Sequence, residues 1–341
     1  MNGCERITST LHGANHRPVP MMLHSFMVGA EESSITMEEY RNSSVNIARS
    51  HIDFARKYGL DGVLIDVDTC MEAGAIGVPV DLPVHEPARI TTGLSEDIDI
   101  CIEAMEKDKL RSYDRIKIKL EAVNRIKNEV GNDLLVRGNA DQGPFSLAML
   151  AIGITPFMMN LYDNPEKIIL LIDRAYDVHV EFHKLMKEAG ADMTSFGDSS
   201  CGPDLVSPEM YRQFSLPLHR KLAETLHKDN IATICHICGN IDLILEDLVT
   251  AGFPAIEADY KTDISRAAKI MKNRSVLFGP IDPSGVFYFG TPEIVAEETR
   301  KVLDLFTSGG LVIGAGCALP AKTPEANLLA FTKTVKEYSA C

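Results

Sequence analysis

Three stretches decide the fold: Ala232-Thr233-Ile234-Cys235-His236-Ile237-Cys238, Ala255-Ile256-Glu257-Ala258-Asp259 and Val276-Leu277-Phe278-Gly279-Pro280-Ile281. Each is a short apolar run bounded by Gly, Pro, Asn or Asp, as a buried strand should be. Between them lie stretches long enough for a helix. The same unit recurs outward in both directions, at Met21–Phe26, Gly62–Asp68, Leu134–Asn139, Met193–Asp198 and Leu311–Gly316. Eight such runs alternating with helices are the plan of an α/β protein of the (β/α)8 TIM-barrel class. A doubly wound sheet carries a Gly-rich phosphate turn after its first strand. Here that place reads Met27-Val28-Gly29-Ala30-Glu31, and no G-x-x-x-x-G-K-[ST] occurs anywhere. No repeat or linker divides the chain. Residues 1–341 are therefore read as one barrel domain with extra helical elements at its N-terminus.

Helix punctuation agrees with the alternation. Asn164-Pro165-Glu166, Ser207-Pro208-Glu209, Thr291-Pro292-Glu293 and Thr323-Pro324-Glu325 share one plan. A polar residue can cap, proline sits where its missing N–H costs nothing, and glutamate meets the positive helix end. Gly190 marks a stop for the helix that begins at Pro165. Two connections are unusually long, Thr69–Glu96 and Asp141–Asp163. Both follow strands, the side on which a barrel builds its active site, so both are candidates for the substrate mouth.

The composition narrows the function. The chain has 341 residues with 48 acidic and 34 basic side chains, a formal charge of −14. Such a balance argues against a nucleic-acid binder, because phosphate contacts need a basic surface. With 45% hydrophobic and 24% charged residues, the chain is an ordinary globular one. No run of 18 apolar residues suggests a membrane span, and the start lacks the plan of a signal peptide, so a cytoplasmic location is expected. The eight cysteines, at 4, 70, 101, 201, 235, 238, 317 and 341, are too scattered for a disulfide framework. Most are expected to be buried thiols, Cys201 and Cys235 among them. The sequence assigns no oligomeric state.

Polar groups gather at the ends of the runs: His24, Asp68, Asn139 with Asp141, Asp198, His236 with Cys238, Asp259, Asp282 and Cys317. On a strand His236 and Cys238 project to one face and Cys235 to the other. An imidazole beside a thiolate offers two of the ligands zinc prefers. Gly314-Ala315-Gly316-Cys317 supplies a second thiolate from the same rim. Three protein ligands with an open fourth position describe a catalytic rather than a structural zinc site.

Several stretches resemble the uroporphyrinogen decarboxylase superfamily and, within it, the corrinoid-dependent methyltransferases typified by methylcobamide:coenzyme M methyltransferases. They are Gly143-Pro144-Phe145 with Gly153 and Asn164-Pro165-Glu166, then Gly197-Asp198 with Ser207-Pro208-Glu209-Met210-Tyr211 and Pro217. The strongest part runs from His236-Ile237-Cys238-Gly239 through Ile281-Asp282-Pro283, Gly290-Thr291-Pro292-Glu293 and Gly316-Cys317 to Thr323-Pro324-Glu325-Ala326-Asn327. The resemblance implies the barrel fold and zinc ligands at His236, Cys238 and Cys317. It also implies a corrinoid (cobalamin) brought by a partner protein or arriving as free cofactor, because no D-x-H-x-x-G corrinoid-ligand motif is present. A non-catalytic corrinoid-binding protein with the same fold stays open beside it, and metal analysis separates the two. The decarboxylase branch carries an R-x-A-G-R segment for substrate carboxylates where this chain has Leu23-His24-Ser25-Phe26-Met27, which counts against a porphyrinogen decarboxylase.

The expected activity is zinc-dependent transfer of a methyl group between the corrinoid protein and a small molecule. That molecule is either a thiol acceptor such as coenzyme M, held as thiolate, or a methoxylated donor whose oxygen the metal polarises. Asp198 and Asp259 are expected to orient the zinc-bound imidazole or take a substrate proton. Glu72 resembles a family position near the pocket and is either a fourth ligand at rest or a first-turn helix glutamate. His24 and Asp68 are expected to bind substrate, and Asn139 and Asp141 to bind substrate or lock the loop. Arg137 and Lys322 are expected to be solvated charges, or else the grip on a substrate sulfonate or carboxylate.

Overall fold

The computed structural model describes residues 1–338, so Cys341 lies outside the described residues. Seven parallel strands form one sheet in sequence order: β1 (Gly62–Ile65), β2 (Leu135–Asn139), β3 (Met193–Gly197), β4 (Thr233–Ile237), β5 (Ala255–Ala258), β6 (Val276–Ile281) and β7 (Leu311–Ala315). Every neighbour pair is parallel, and helices connect consecutive strands. This is the α/β arrangement that the alternating runs imply.

The eighth expected strand, Met21–Phe26, does not form. Met21 makes only a single-residue parallel bridge to Ile313, and the chain enters a helix at Phe26–Glu32. Residues 20–22 nevertheless join the two edges of the curled sheet. Met22 N–H donates to Ile313 O (3.1 Å) and Ile313 N–H to Pro20 O (2.9 Å) on one side. On the other, Asp61 N–H donates to Met21 O and Met21 N–H to the Asp61 carboxylate. Gly314 permits this seam, because a Cβ there would run into Met22 O.

Strand parity sorts the side chains. Leu64, Leu135, Met193, Ile234, Ala255, Val276, Phe278 and Val312 form an apolar floor inside the curl, with Met22 from the seam. Ile7 of the first helix, Gly3–Leu11, closes this floor from below. The alternate residues, Val63, Val136, Phe196, Cys235, Ile256, Leu277 and Ile313, face outward against the helices in the larger core. Two positions beyond the floor, the inward face turns polar. Leu64 is followed by Asp66, Leu135 by Arg137 and Asn139, Ile234 by His236, and Ala255 by Glu257.

The helix Pro165–Glu188 stops just before Gly190, as expected. Of the four expected helix caps, Ser207 and Thr291 accept from the N–H groups of Met210 and Ile294, whereas Asn164 and Thr323 do not cap. No single helix among the described residues is long and apolar enough to cross a membrane. The apolar pair Pro144–Ile152 and Ile154–Asp163 bends by 108°, and most of its first helix is buried in the protein.

Candidate metal centre at the strand ends

His236, Cys238 and Cys317 come together. One ligand atom from each lies within 4.8 Å of the others, and all three side chains keep partial access to solvent. Zn–S and Zn–N bonds of about 2.0–2.3 Å at tetrahedral angles put ligand atoms about 3.5 Å apart, so the group can close on one ion with little movement. Cys317 reaches this place because Gly316 lets the backbone pass Ala258 O, where a Cβ would stand at 2.8 Å. The imidazole is already aimed. Its Nδ1 lies 3.1 Å from Glu257 O and its Nε2 3.0 Å from Cys238 Sγ. With the proton on Nδ1 given to a carbonyl, Nε2 is the nitrogen left for a metal. Ser199 Oγ accepts from Cys238 N–H (3.1 Å), and Asp259 accepts from Gly239 N–H (2.8 Å), fixing the turn that carries Cys238.

The electrostatics fit a cation. The hydrogen bond from Cys317, with the charge of His236, holds the Cys238 thiol down at about 3 in spite of burial. Burial pulls the His236 imidazolium down, yet Cys238 and Glu257 outweigh it and raise it to about 10. Cys317 is pushed up by its contact with Cys238 and by burial. Cys238 is thus the thiolate of the group, while His236 and Cys317 each keep a proton beside it. Beneath them Glu257 pairs with Arg137 inside the curl, both sealed from solvent, and the guanidinium lies 5.6 Å over the Phe278 ring. Arg137 is therefore neither solvated nor free to hold a substrate anion.

The carboxylates expected around the imidazole are occupied elsewhere, and the Glu257 carbonyl is the group on His236 Nδ1. Asp198 is buried, accepts from Ser146 N–H (2.7 Å) at the start of Pro144–Ile152, and meets His219 Nε2 at 3.1 Å. Asp259 accepts from Gly239 and Lys261 N–H groups. Asp282 caps the turn after β6 through Ser284 and Gly285. Glu72 is fully buried on Met71–Ile76 and meets His179 Nδ1 at 3.1 Å, its Oε2 having no hydrogen-bond partner. Burial raises its carboxyl well above the usual range, which favours the protonated form.

A charge ladder that the strand-end reading did not anticipate stands beside β1. Arg115 and Lys119, four apart on the helix Asp114–Val130, are about 6 Å apart along its axis. Asp66 and Asp68, two apart beyond β1, are about 6.6 Å apart, so the pairs match. Arg115 binds Asp68, while Lys119 reaches Asp66 (3.4 Å) and Asn139 O (2.7 Å). Of the four expected substrate groups, Asp68, Asn139 and Asp141 are buried and bound by protein: Asn139 Oδ1 accepts from Ser195 Oγ (2.9 Å), and Asp141 from Gly197 N–H. Burial and the nearby Asp66 raise the Asp141 carboxyl to about 7. Only His24 stays partly open, with Nε2 on Asp66 Oδ2 at 2.9 Å. Asp66 and Glu257 were legible from parity, since each follows a floor residue by two. Lys119, His179 and His219 sit on helices and carried no such signal. Cys201 and Cys235 are buried thiols, as expected, pushed up by burial.

Residues 3–338 match the family model described as uroporphyrinogen decarboxylase (URO-D). The chain is 32% identical over 237 residues to the methylcobamide:CoM methyltransferase MtbA of Methanosarcina acetivorans, covering 68% of each chain. It is 31% identical over 285 residues to the MtbA protein of Methanosarcina mazei, covering 82% of this chain and 80% of that one. A solved methyltransferase from Methanosarcina mazei superposes with a TM-score of 0.90 over 99% of both chains at 23% identity, a likeness of fold. A chain whose curled parallel sheet brings one imidazole and two thiols together at its strand ends, and which matches the family model over residues 3–338, belongs to the uroporphyrinogen decarboxylase family, in its branch of corrinoid-dependent methyltransferases.

Proposed function

We propose that the chain, acting as one barrel domain, holds zinc through His236, Cys238 and Cys317 and moves a methyl group between a corrinoid on a partner protein and a small thiol. The observation that carries the reading is the convergence of these three side chains at the strand ends. Bound there, zinc supplies one thing: it lowers the pKa of a substrate thiol and keeps it a nucleophilic thiolate at neutral pH. The protein does the rest. Glu257 O fixes the imidazole, Ser199 and Asp259 fix the turn bearing Cys238, and the Arg137–Glu257 pair seals the site from below. Methyl transfer is a displacement at carbon, so holding sulfur, methyl and cobalt in line supplies much of the rate. The names of the relatives support a thiol acceptor.

A methoxylated donor is the second reading. It is favoured by one observation: Arg137, Arg115 and Lys119 are each engaged by a carboxylate and leave little for an anionic tail such as a sulfonate. Two assays separate the readings. In one, methylcobalamin and coenzyme M are mixed with zinc-loaded protein; in the other, reduced cobalamin and methoxylated aromatics. The corrinoid spectrum is followed in both. Turnover in the first, with zinc and activity both lost in His236→Ala, is the expected result. Turnover confined to the second, or a His236→Ala variant as active as the parent, refutes the thiol reading.

A further inference from the structure

His24 differs from the other buried or half-buried histidines. His51, His179, His183 and His219 are sealed inside the protein. His24 follows Met22 by two, so it stands on the inward face just above the floor. Its backbone O accepts from Leu319 N–H (2.9 Å) in the loop that carries Cys317. Glu257, whose carbonyl meets His236 Nδ1, lies on the same inward face. The side chain is 12% exposed. Its Nε2 is tied to Asp66, and its Nδ1 has no hydrogen-bond partner among the described residues, nor is it sealed from solvent.

The support behind Nε2 is built. Burial raises the Asp66 carboxyl, but Lys119, His24 and the Val67 N–H outweigh this and hold it well below the usual range. An ionised Asp66 accepts a hydrogen bond and cannot donate one, so the neutral imidazole carries its proton on Nε2 and presents a bare Nδ1. A carboxylate that fixes the tautomer of an imidazole whose other nitrogen is open is the arrangement of a general base. The charged groups around it are Asp66, Lys119, Glu257 and His236, with the buried His51 lowered to about 4 by desolvation.

We propose that His24 is a catalytic residue, the base that takes the proton of the thiol substrate while Asp66 and Lys119 position it. The proposal rests on the thiol-acceptor reading above. The S–H bond breaks with its electron pair left on sulfur, and the proton passes to His24 Nδ1, giving an imidazolium beside the Asp66 carboxylate. Sulfur forms the S–C bond to the methyl group of the methylated corrinoid. The C–Co bond breaks with its pair going to cobalt, which is reduced from Co(III) to Co(I). His24 then returns the proton to solvent.

The test counts protons as well as turnovers. Coenzyme M is titrated calorimetrically into zinc-loaded enzyme at pH 7 in phosphate and in Tris, whose ionisation enthalpies differ. Wild type is expected to keep the thiol proton and release little to buffer, whereas His24→Gln releases about one proton per thiol bound. With methylcobalamin, kcat of His24→Ala is expected to fall about 10²–10⁴-fold with KM little changed, and free imidazole to restore part of it. Asp66→Asn, which offers Nε2 a donor and so reverses the tautomer, is expected to fall in kcat without losing zinc. Equal proton release and equal rates in wild type and His24→Gln overturn the role of His24 alone. A wild-type enzyme that methylates no thiol overturns this proposal together with the reading it rests on.

Discussion

Replacing Glu257 by glutamine removes one charge from an ion pair that has almost no contact with water. The Arg137 and Glu257 side chains are 4% and 5% exposed, so the guanidinium left behind can recover little hydration. Removing one partner of a buried pair costs about 3–5 kcal/mol. Glutamine keeps an acceptor for Arg137 Nη2, which places the expected loss at the lower end, about 3 kcal/mol. At about 2.1 cal/mol/K per residue, the unfolding entropy of a chain this size is about 0.7 kcal/mol/K, so the melting temperature drops by about 4 °C. Urea unfolding followed by circular dichroism measures the loss as a lower midpoint at unchanged slope. Arg137→Met leaves the carboxylate unpaired instead. In the parent, Arg137 and His236 hold Glu257 below its ordinary value in spite of burial, so the pair's contribution is full above about pH 4.5 and is lost on acidification. Without Arg137, burial raises the carboxyl, and the deficit of the variant shrinks as pH falls. The double variant Arg137→Met/Glu257→Gln should recover about 2–3 kcal/mol relative to the sum of the singles. A Glu257→Gln protein within about 0.5 kcal/mol of the parent at pH 7, or strictly additive losses, would refute the reasoning.

Cys238→Ser and Cys317→Ser should each lose zinc on dialysis, measured by elemental analysis, while Cys235→Ser, which faces the helices, retains it. Glu72→Gln replaces a buried carboxyl, whose protonated form burial favours, by its neutral isostere. It should leave stability within about 0.5 kcal/mol and zinc affinity unchanged, whereas a tenfold weaker zinc affinity would show that Glu72 is a ligand. Asp141 in the folded protein holds its proton up to about pH 7, against 3.8 when unfolded. Its contribution is therefore fully present below about pH 4 and is lost as pH rises to 7, a fall on the order of 4 kcal/mol. Asp141→Asn should flatten the stability profile over that window, and an unchanged slope in urea titrations at pH 4, 5.5 and 7 counts against the assignment.

The strand runs were legible because a buried parallel strand must be short, apolar and punctuated, and seven of the eight runs are strands in the structure. Met21–Phe26 satisfied the same pattern and failed because only residues 20–22 find partners before the chain turns into the helix at Phe26. The candidate metal group was legible because period-two alternation puts His236 and Cys238 on one face and Cys235 on the other. The carboxylates were not. Asp66, Asp198 and Asp259 look alike as strand terminators, and their roles are set by what arrives from far along the chain. Lys119 and His24 come to Asp66, Ser146 N–H and His219 to Asp198, and Gly239 N–H to Asp259. No local pattern records how a helix registers against a sheet, which is why Asp198 and Asp259 were expected at the imidazole and Glu257 was overlooked.

The seam at residues 20–22 has a consequence for how the protein is made. It joins the first stretch of the chain to the last strand, and His24 rides on one side of it while Cys317 rides on the other. A ribosome still synthesising β7 therefore holds a nascent chain with His236 and Cys238 in place but with neither Cys317 nor the Leu319 contact to His24. The meeting of all three side chains, and the Leu319 contact to His24, wait for residues 317–319. A chain cut before Cys317 would keep most of its sheet without the third side chain of the candidate metal group.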